Sequence, residues 1–568
     1  MEKIFNISSY ASLFDGDDCT PAVLAAINDA EENGGGTIVF DKGEYHFYEK
    51  HSVKHNCLPY GNGGGIKNIP FAFIGKSNIT VDGGNSDFIF HGMITPFVCD
   101  NAKNIELRHF TIGFDRPFHT EMTVTASNDE EKWFDAVIDQ NTFPTHISEG
   151  RLNAYSPYME LASPNGYLIT EYDGALREPA HNSRYYVLNR EKPADLENYT
   201  DDGFFGNFWV EATGEDTLRV YMPNKHMPRV GNVMTFLNDG RQCCSILMHE
   251  SEDIRLSDID IFESAAMVIV GQVTKDISLD GVRIRLRNEN EKGYDPKRVV
   301  SCTADATHFC NCMGKLSMTN CVFDNMLDDG TNIHAVYSLV TERISSNSFA
   351  ARDDGNNPHF YRVGDTVSIM KLATYGEVCR AVITSITDRP EKWDKVYTFD
   401  REIPDVVDTV EHYVMDNMTT VLSETYISNV TTGYNRPRGF LIATLGKVVI
   451  EDCTFHSSST GIFMQPFGYG CLESQGVEDV TIRRCRFVNC GYADDCAAIW
   501  IDPVIKEGMA PVHKNVSIYD CIFESFGAPS IEANNTQNLQ IYNNTYIHTT
   551  AYPQIKFNHQ VILKDCNL

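Results

Sequence analysis

Three aspartates define the chemistry open to this chain. Asp305 stands in Ala304-Asp305-Ala306-Thr307-His308, and Asp328 and Asp329 open the run Asp328-Asp329-Gly330-Thr331-Asn332-Ile333-His334. Carboxylates a few ångströms apart repel one another, which raises the proton affinity of at least one and leaves a protonated acid beside ionised partners near neutral pH. Hydrolysis of a glycosidic bond needs that division of labour. An isolated Asp-Asp-Gly is more often an ordinary β-turn, so the functional reading depends on whether the fold brings Asp305 to the other two.

The elements that would do so are visible as an internal repeat. A nine-residue pattern has its first position at Ile79, Ile105, Ile254, Ile277, Leu316, Val448, Val480, Val516 and Leu539, with a second apolar residue two places later, from Val81 and Leu107 to Ile541. Alternation of this kind means strand. Five places after the first position come Phe110, Ile259, Val282, Cys321, Cys453, Cys485, Cys521 and Asn544, and seven places after it an aliphatic or aromatic residue. Uninterrupted spacings of 26, 23, 39, 32, 36 and 23 residues give a minimum period near 23. A period of that length, carried by short β-branched runs rather than helical ones, predicts an all-β right-handed parallel β-helix, each coil covering the next about 4.8 Å away.

On this register Asp328 stands 12 residues after Leu316. Asp305 stands 28 after Ile277, in a coil 16 residues longer than the minimum; a loop at Arg287 to Pro296 that takes up the excess returns Asp305 to place 12. Asp305 and Asp328 are therefore expected at equivalent places on adjacent coils, with Gly330 bending the chain so that Asp329 also turns outward. His308 and His334 follow the acids and could bond sugar hydroxyls or satisfy loop carbonyls; Asn332 could bind substrate or simply belong to the ladder. Arg436, Arg438 and Glu473 come from later coils and could line the same groove or form surface ion pairs.

Thr20-Pro21 followed by Val23, Ile27 and Ala30 on one face predicts an amphipathic helix capped at Thr20. Such a helix would plug the open end of the solenoid. Two segments interrupt the repeat, between Ile112 and Ile254 and between Phe323 and Val448, both too long for loops and rich in alternating residues. Arg229-Val230-Gly231-Asn232-Val233 and Arg362-Val363-Gly364-Asp365-Thr366 are alike, which suggests two related antiparallel β insertions. The expected organisation is an N-terminal cap and first coils at 1–117, a barrel-like insertion at 118–240, central coils with the acids at 241–349, a second insertion at 350–420 and terminal coils at 421–568.

The 568 residues carry 78 acidic and 47 basic side chains, a net charge of −31, which opposes nucleic acid or an anionic membrane as partner. A neutral carbohydrate fits better. Neither a signal peptide nor a membrane span is visible, so a cytoplasmic protein is expected, or a secreted or periplasmic one if a leader has been removed. Most of the 17 cysteines read as small apolar core residues; their spacing does not suggest a zinc site, and no metal or cofactor is expected. The disulfide state of Cys243, Cys244, Cys490 and Cys496 stays open. A homodimer is the expected assembly, since solenoid sides and inserted barrels often associate.

Two resemblances add to this reading. Asp15-Gly16-Asp17-Asp18, the helix, Gly34-Gly35-Gly36 and Gly43-Glu44-Tyr45 resemble the N-terminal cap of pectin-lyase-like β-helix proteins. The Asp305 segment with the Asp328 to His334 run, Arg438-Gly439-Phe440-Leu441 and Gly446-Lys447-Val448-Val449-Ile450-Glu451 resemble glycoside hydrolase family 110, α-1,3-galactosidases acting on the blood-group B antigen. The resemblance implies an inverting, metal-independent exo-hydrolase with Asp328 as general acid and Asp305 and Asp329 positioning and deprotonating water. It lapses at Cys471-Leu472-Glu473-Ser474, where an aromatic residue is expected ahead of the Glu-Ser pair. From the residues alone, stacked carboxylates are compatible with inversion or retention.

The rivals are a polygalacturonase-like hydrolase, a polysaccharide lyase and a noncatalytic carbohydrate-binding β-helix. The first lacks its usual Gly-His-Gly signature here, and −31 suits a polyanionic substrate poorly. A lyase would want a basic residue as base, commonly with calcium. The binding module predicts affinity that survives loss of Asp328.

Overall fold

The computed structural model describes residues 3–564, apart from 162–166, 182–185, 190–204, 208, 223–225, 238–240, 353–359, 408–411, 468–470, 494–495, 503–510, 526, 549–552 and 557. Its body is a parallel β-helix with three walls. First-wall strands pair in the expected register, Ile79 with Ile105, Ile105 with Ile254, Ile254 with Ile277 and Ile277 with Leu316. Leu316 then pairs with Thr425, which pairs with Val448, and the last coil sets Leu539 against Val561. Three coils, with first positions at Gly36, Thr425 and Val561, thus add to the nine read from the sequence. The one at Thr425 escapes the apolar pattern because Thr425 and Thr432 fill inward places that elsewhere hold aliphatic or aromatic residues.

The odd step from the second to the third inward place has a backbone cause. Four residues after the first position of eight coils the chain enters the left-handed region, at His109, Asp258, Asn320, Asn429, Asp452, Arg484, Asp520 and Asn543, all with φ between 49° and 57°. One such residue turns the strand from the first wall into the second and resets which side chains point inward. Mostly Asn and Asp stand there, the residues that tolerate this conformation best.

Inside, like residues stack at strand spacing: the rings of Phe455, Phe487 and Phe523 lie 4.8 Å apart and nearly parallel. Cys321, Cys453, Cys485 and Cys521 form a buried row, each thiol directed at the carbonyl two residues back. Asn544 continues the row because its side chain satisfies Cys521 N and Ile518 O. Among the described residues no cysteine forms a disulfide, Cys243, Cys244, Cys490 and Cys496 included. The helix spans Thr20–Glu32, with Cys19 rather than Thr20 at the cap position and the Asp18 carboxylate accepting from Thr20 N–H at 2.9 Å. It covers the first coil.

Both insertions leave the solenoid as antiparallel β structure. The first runs from His119–Asn128 to Val233–Leu237 in a nine-stranded sheet. The second is a closed six-stranded barrel from Ser338–Ser345 to Tyr413–Asn417 with a core of its own. It begins at Ser338, before residue 350, because the alternation of Ser338-Leu339-Val340 serves a barrel strand as well as a solenoid strand. The paired motifs form the same turn: Asn232 N–H bonds Arg229 O and Asp365 N–H bonds Arg362 O, both at 3.1 Å, around Gly231 and Gly364 at φ 92° and 98°.

Candidate active site

The third wall carries the site. Its strands Thr307–Cys310, Thr331–Val336 and Phe440–Ile442 are neighbours, pairing Thr307 with Thr331 and Thr331 with Phe440. Thr307, Phe309 and Ile333 face the core, so His308, Asn332 and His334 point out of the solenoid. The corner entering these strands is held by main-chain bonds from Ala306 N to Asp329 O at 2.9 Å and from Gly330 N to Arg438 O at 3.0 Å. Asn435 reaches back to Asp328 O at 3.1 Å.

The equivalent of Asp305 is therefore Asp329, not Asp328, and the equivalent of Asp329 one coil later is Arg438. The register differs by one from the spacing because fifteen of the sixteen extra residues precede Asp305 and one follows it, at a bulge where Lys275 and Ile277 face Met313 and Leu316. The convergence itself is present. Asp305, Asp328 and Asp329 each place an oxygen within 4.8 Å of the others. Gly330 is needed for closeness rather than for a bend: a Cβ there would lie 2.4 Å from Thr432 Oγ1 and 2.6 Å from Gly439 O.

Each acid has a different partner. Arg438 Nε donates to Asp329 Oδ1 at 2.8 Å, and the Arg241 guanidinium pairs with Asp328. Asp305 Oδ2 lies 2.8 Å from His308 Nδ1. Asp305 and Asp329 are 2% and 1% exposed, whereas the Asp328 side chain is 17% exposed. Burial, then the neighbouring Asp328, push the Asp305 pKa up to about 8 against the opposing charges of Arg241 and Arg438. Burial raises Asp329 well above the ordinary carboxylate range too, with Asp328 and Asp305 adding to it and the Arg438 guanidinium that bonds it opposing. Asp305 and Asp329 thus both hold a proton more tightly than an ordinary carboxyl, and Asp305, at about 8, is able to carry one near neutral pH. The three acids are the group among the described residues whose ligand atoms come close enough to hold a cation, and two guanidinium groups already supply positive charge there.

The other predicted residues surround this cluster. His308 and His334 are buried and bonded to each other through Nε2 atoms 2.9 Å apart. Asn332 Nδ2 donates to Glu473 Oε1 at 3.3 Å, and Glu473–Ser474 lies as a short antiparallel strand on Ala335 and Val336. Arg436 forms a cis peptide bond with Pro437, and its main-chain N–H bonds Met326 O at 3.3 Å.

Sequence reasoning misses two members. Arg241 arrives from the end of the first insertion, where no repeat fixes its place. Tyr60 arrives from the loop joining the hairpin Val53–Cys57 and Gly65–Ile69; its ring centroid lies 5.4 Å from that of His334, and its hydroxyl bonds Cys471 O. An aromatic ring does stand beside Cys471, supplied from elsewhere in the chain. The glycine-rich Gly61-Asn62-Gly63-Gly64-Gly65 that carries it was the available signal.

Residues 120–234 match the model described as GLAA-B beta-barrel domain I, and residues 412–568 that of a right handed beta helix region. Alpha-1,3-galactosidase A of Shewanella woodyi is 29% identical, covering 95% of this chain and 85% of its own. Alpha-1,3-galactosidase B of Bacteroides thetaiotaomicron is 27% identical, covering 99% and 89%. Among solved structures, the A-module of mannuronan C-5 epimerase AlgE4 of Azotobacter vinelandii aligns with a TM-score of 0.44 at 11% identity, over 98% of this chain and 99% of that one. Similar along nearly its whole length to proteins named alpha-1,3-galactosidases, the chain is a glycoside hydrolase on a right-handed parallel β-helix.

Proposed function

We propose that the enzyme releases terminal galactose in α-1,3 linkage from branched blood-group B-type or linear galactosyl glycans, with inversion at the anomeric carbon. The observation that carries this reading is the convergence of three carboxyl groups, two of them buried and drawn toward their protonated form and two of them meeting guanidinium groups. Near-full-length similarity to enzymes named α-1,3-galactosidases supports the choice of sugar and linkage.

Asp328, the most exposed of the three, protonates the departing glycosidic oxygen, and Asp305 with Asp329 receives the proton of the attacking water. Substrate displaces Arg241 from Asp328, moving the acid out toward the roughly 6.5–9.5 Å spacing that leaves room for water. The proton held at Asp305 passes to Asp328 as the guanidinium withdraws. After bond cleavage Asp328 is again a carboxylate, and Asp305 has been reprotonated by water. The resting state is restored within the site.

The test is a panel of branched and linear α-1,3-galactosides followed by NMR of the first-formed anomer, with Asp328→Asn as control. Release of β-galactose by the wild type alone is expected. α-Galactose as first product overturns inversion, and binding without release overturns hydrolysis of these substrates.

A further inference from the structure

His308 and His334 take no part in the scheme above, yet they connect its proton-carrying acid to the main chain. His308 lies on Thr307–Cys310 and His334 on the adjacent Thr331–Val336, and the chain of contacts has three links. Asp305 Oδ2 is 2.8 Å from His308 Nδ1, His308 Nε2 is 2.9 Å from His334 Nε2, and His334 Nδ1 is 2.7 Å from Ala335 O.

A carbonyl oxygen only accepts, so His334 Nδ1 carries hydrogen. A neutral imidazole carries one hydrogen on nitrogen, which makes His334 Nε2 an acceptor. The contact between the rings then requires hydrogen on His308 Nε2 and leaves His308 Nδ1 bare. The remaining link is a hydrogen bond only if Asp305 donates it. Neutrality of both rings has a physical cause: burial holds each imidazole down to about 4. The charged groups that act on them are Asp328, Glu473 and Arg241, with the ring of Tyr60 beside both, and Glu473 Oε1 stays 3.9 Å from His334 Nε2, too far to claim its hydrogen.

We infer that His308 and His334 are positioning residues whose tautomers, fixed from the Ala335 carbonyl, keep the proton of the acid cluster on Asp305. The two rings act through Asp305 and do not hold the sugar. With the opposite tautomer, His308 would offer Nδ1–H to Asp305 and stabilise its carboxylate, so the cluster would lose its proton at lower pH. This rests on the hydrolytic reading for its use in turnover, but not for the tautomers themselves.

The first measurement therefore needs no substrate. Nitrogen-15 NMR of histidine-labelled full-length enzyme at neutral pH, with signals assigned by loss in His308→Asn and His334→Gln, should show His308 bearing hydrogen on Nε2 alone and His334 on Nδ1 alone. Any other protonation of His308 overturns the inference, whatever the substrate proves to be. The second compares pH profiles of kcat/KM on whichever glycoside the enzyme cleaves. His334→Leu removes the acceptor for His308 and should move the alkaline limb down by about one pH unit or more, with KM little changed. His334→Gln, which offers both an acceptor and a donor, should restore the limb. A loss of rate in His334→Leu with the limb unmoved means that the residue only packs, and overturns the inference.

Discussion

The second wall of the solenoid and the corner that opens its third wall use the same repeat to opposite effect. In the wall, Phe455, Phe487 and Phe523 lie one above another at 4.8 Å, and each gains from being like its neighbour. In the corner the ladder superposes Asp305 on Asp329, where likeness is costly: two unit charges about 4 Å apart repel by about 4 kcal/mol at an effective dielectric constant of 20. Arg438 on the next rung, Arg241 from the first insertion and a proton on Asp305 offset that repulsion. A stack of equals therefore stabilises where it is apolar and becomes reactive where it is charged.

The contrast can be broken at its reactive end first. Asp328→Asn should lower kcat by about 10³–10⁴-fold while the thermal midpoint stays near the wild-type value, as measured by galactoside turnover and calorimetry. Arg438→Met leaves Asp329 buried beside another acid without its guanidinium partner; denaturant unfolding should show a loss of about 3–5 kcal/mol, together with impaired turnover. At the apolar end, Phe487→Ala should cost about 3–5 kcal/mol in the same assay and leave the kcat of the folded fraction unchanged.

A smaller effect sharpens the comparison through pH. The proton on Asp305 is bound more tightly in the folded chain, whose pKa is about 8, than in the unfolded one, near 3.9. Its contribution to stability is therefore complete below about pH 4 and is lost as pH rises toward 8. Unfolding curves across that window should decline more steeply for wild type than for Asp305→Asn, and equal slopes would place the proton elsewhere. The smallest change is Thr425→Val. The Thr425 hydroxyl is buried without a hydrogen-bond partner among the described residues, so the isosteric apolar side chain should add about 1 kcal/mol.

That last site also shows how far the sequence could be read. Coils declared themselves wherever inward places were apolar, which gave the solenoid, its cap, its two interruptions and the meeting of the three acids. The coil at Thr425 stayed hidden because threonine alternation does not distinguish a strand buried on one face from a polar loop. The register of Asp305 slipped by one because a single extra residue in a bulge leaves no compositional trace. Arg241 and Tyr60 could not be placed at all, since their position depends on how an insertion and a hairpin fold back over the third wall. His308 and His334 were found as residues but not by role, because a tautomer is set by distances that a one-dimensional pattern does not contain.

The loop between Ile284 and Asp305 carries one further consequence. Fifteen additional residues leave the solenoid there without displacing the acid cluster, because each circuit of the chain is re-indexed by the hydrogen bonds of the coil beneath it. Length errors do not accumulate along the winding. Surface excursions at these corners are accordingly free to be lengthened, trimmed or exchanged while the groups on the walls keep their relative positions.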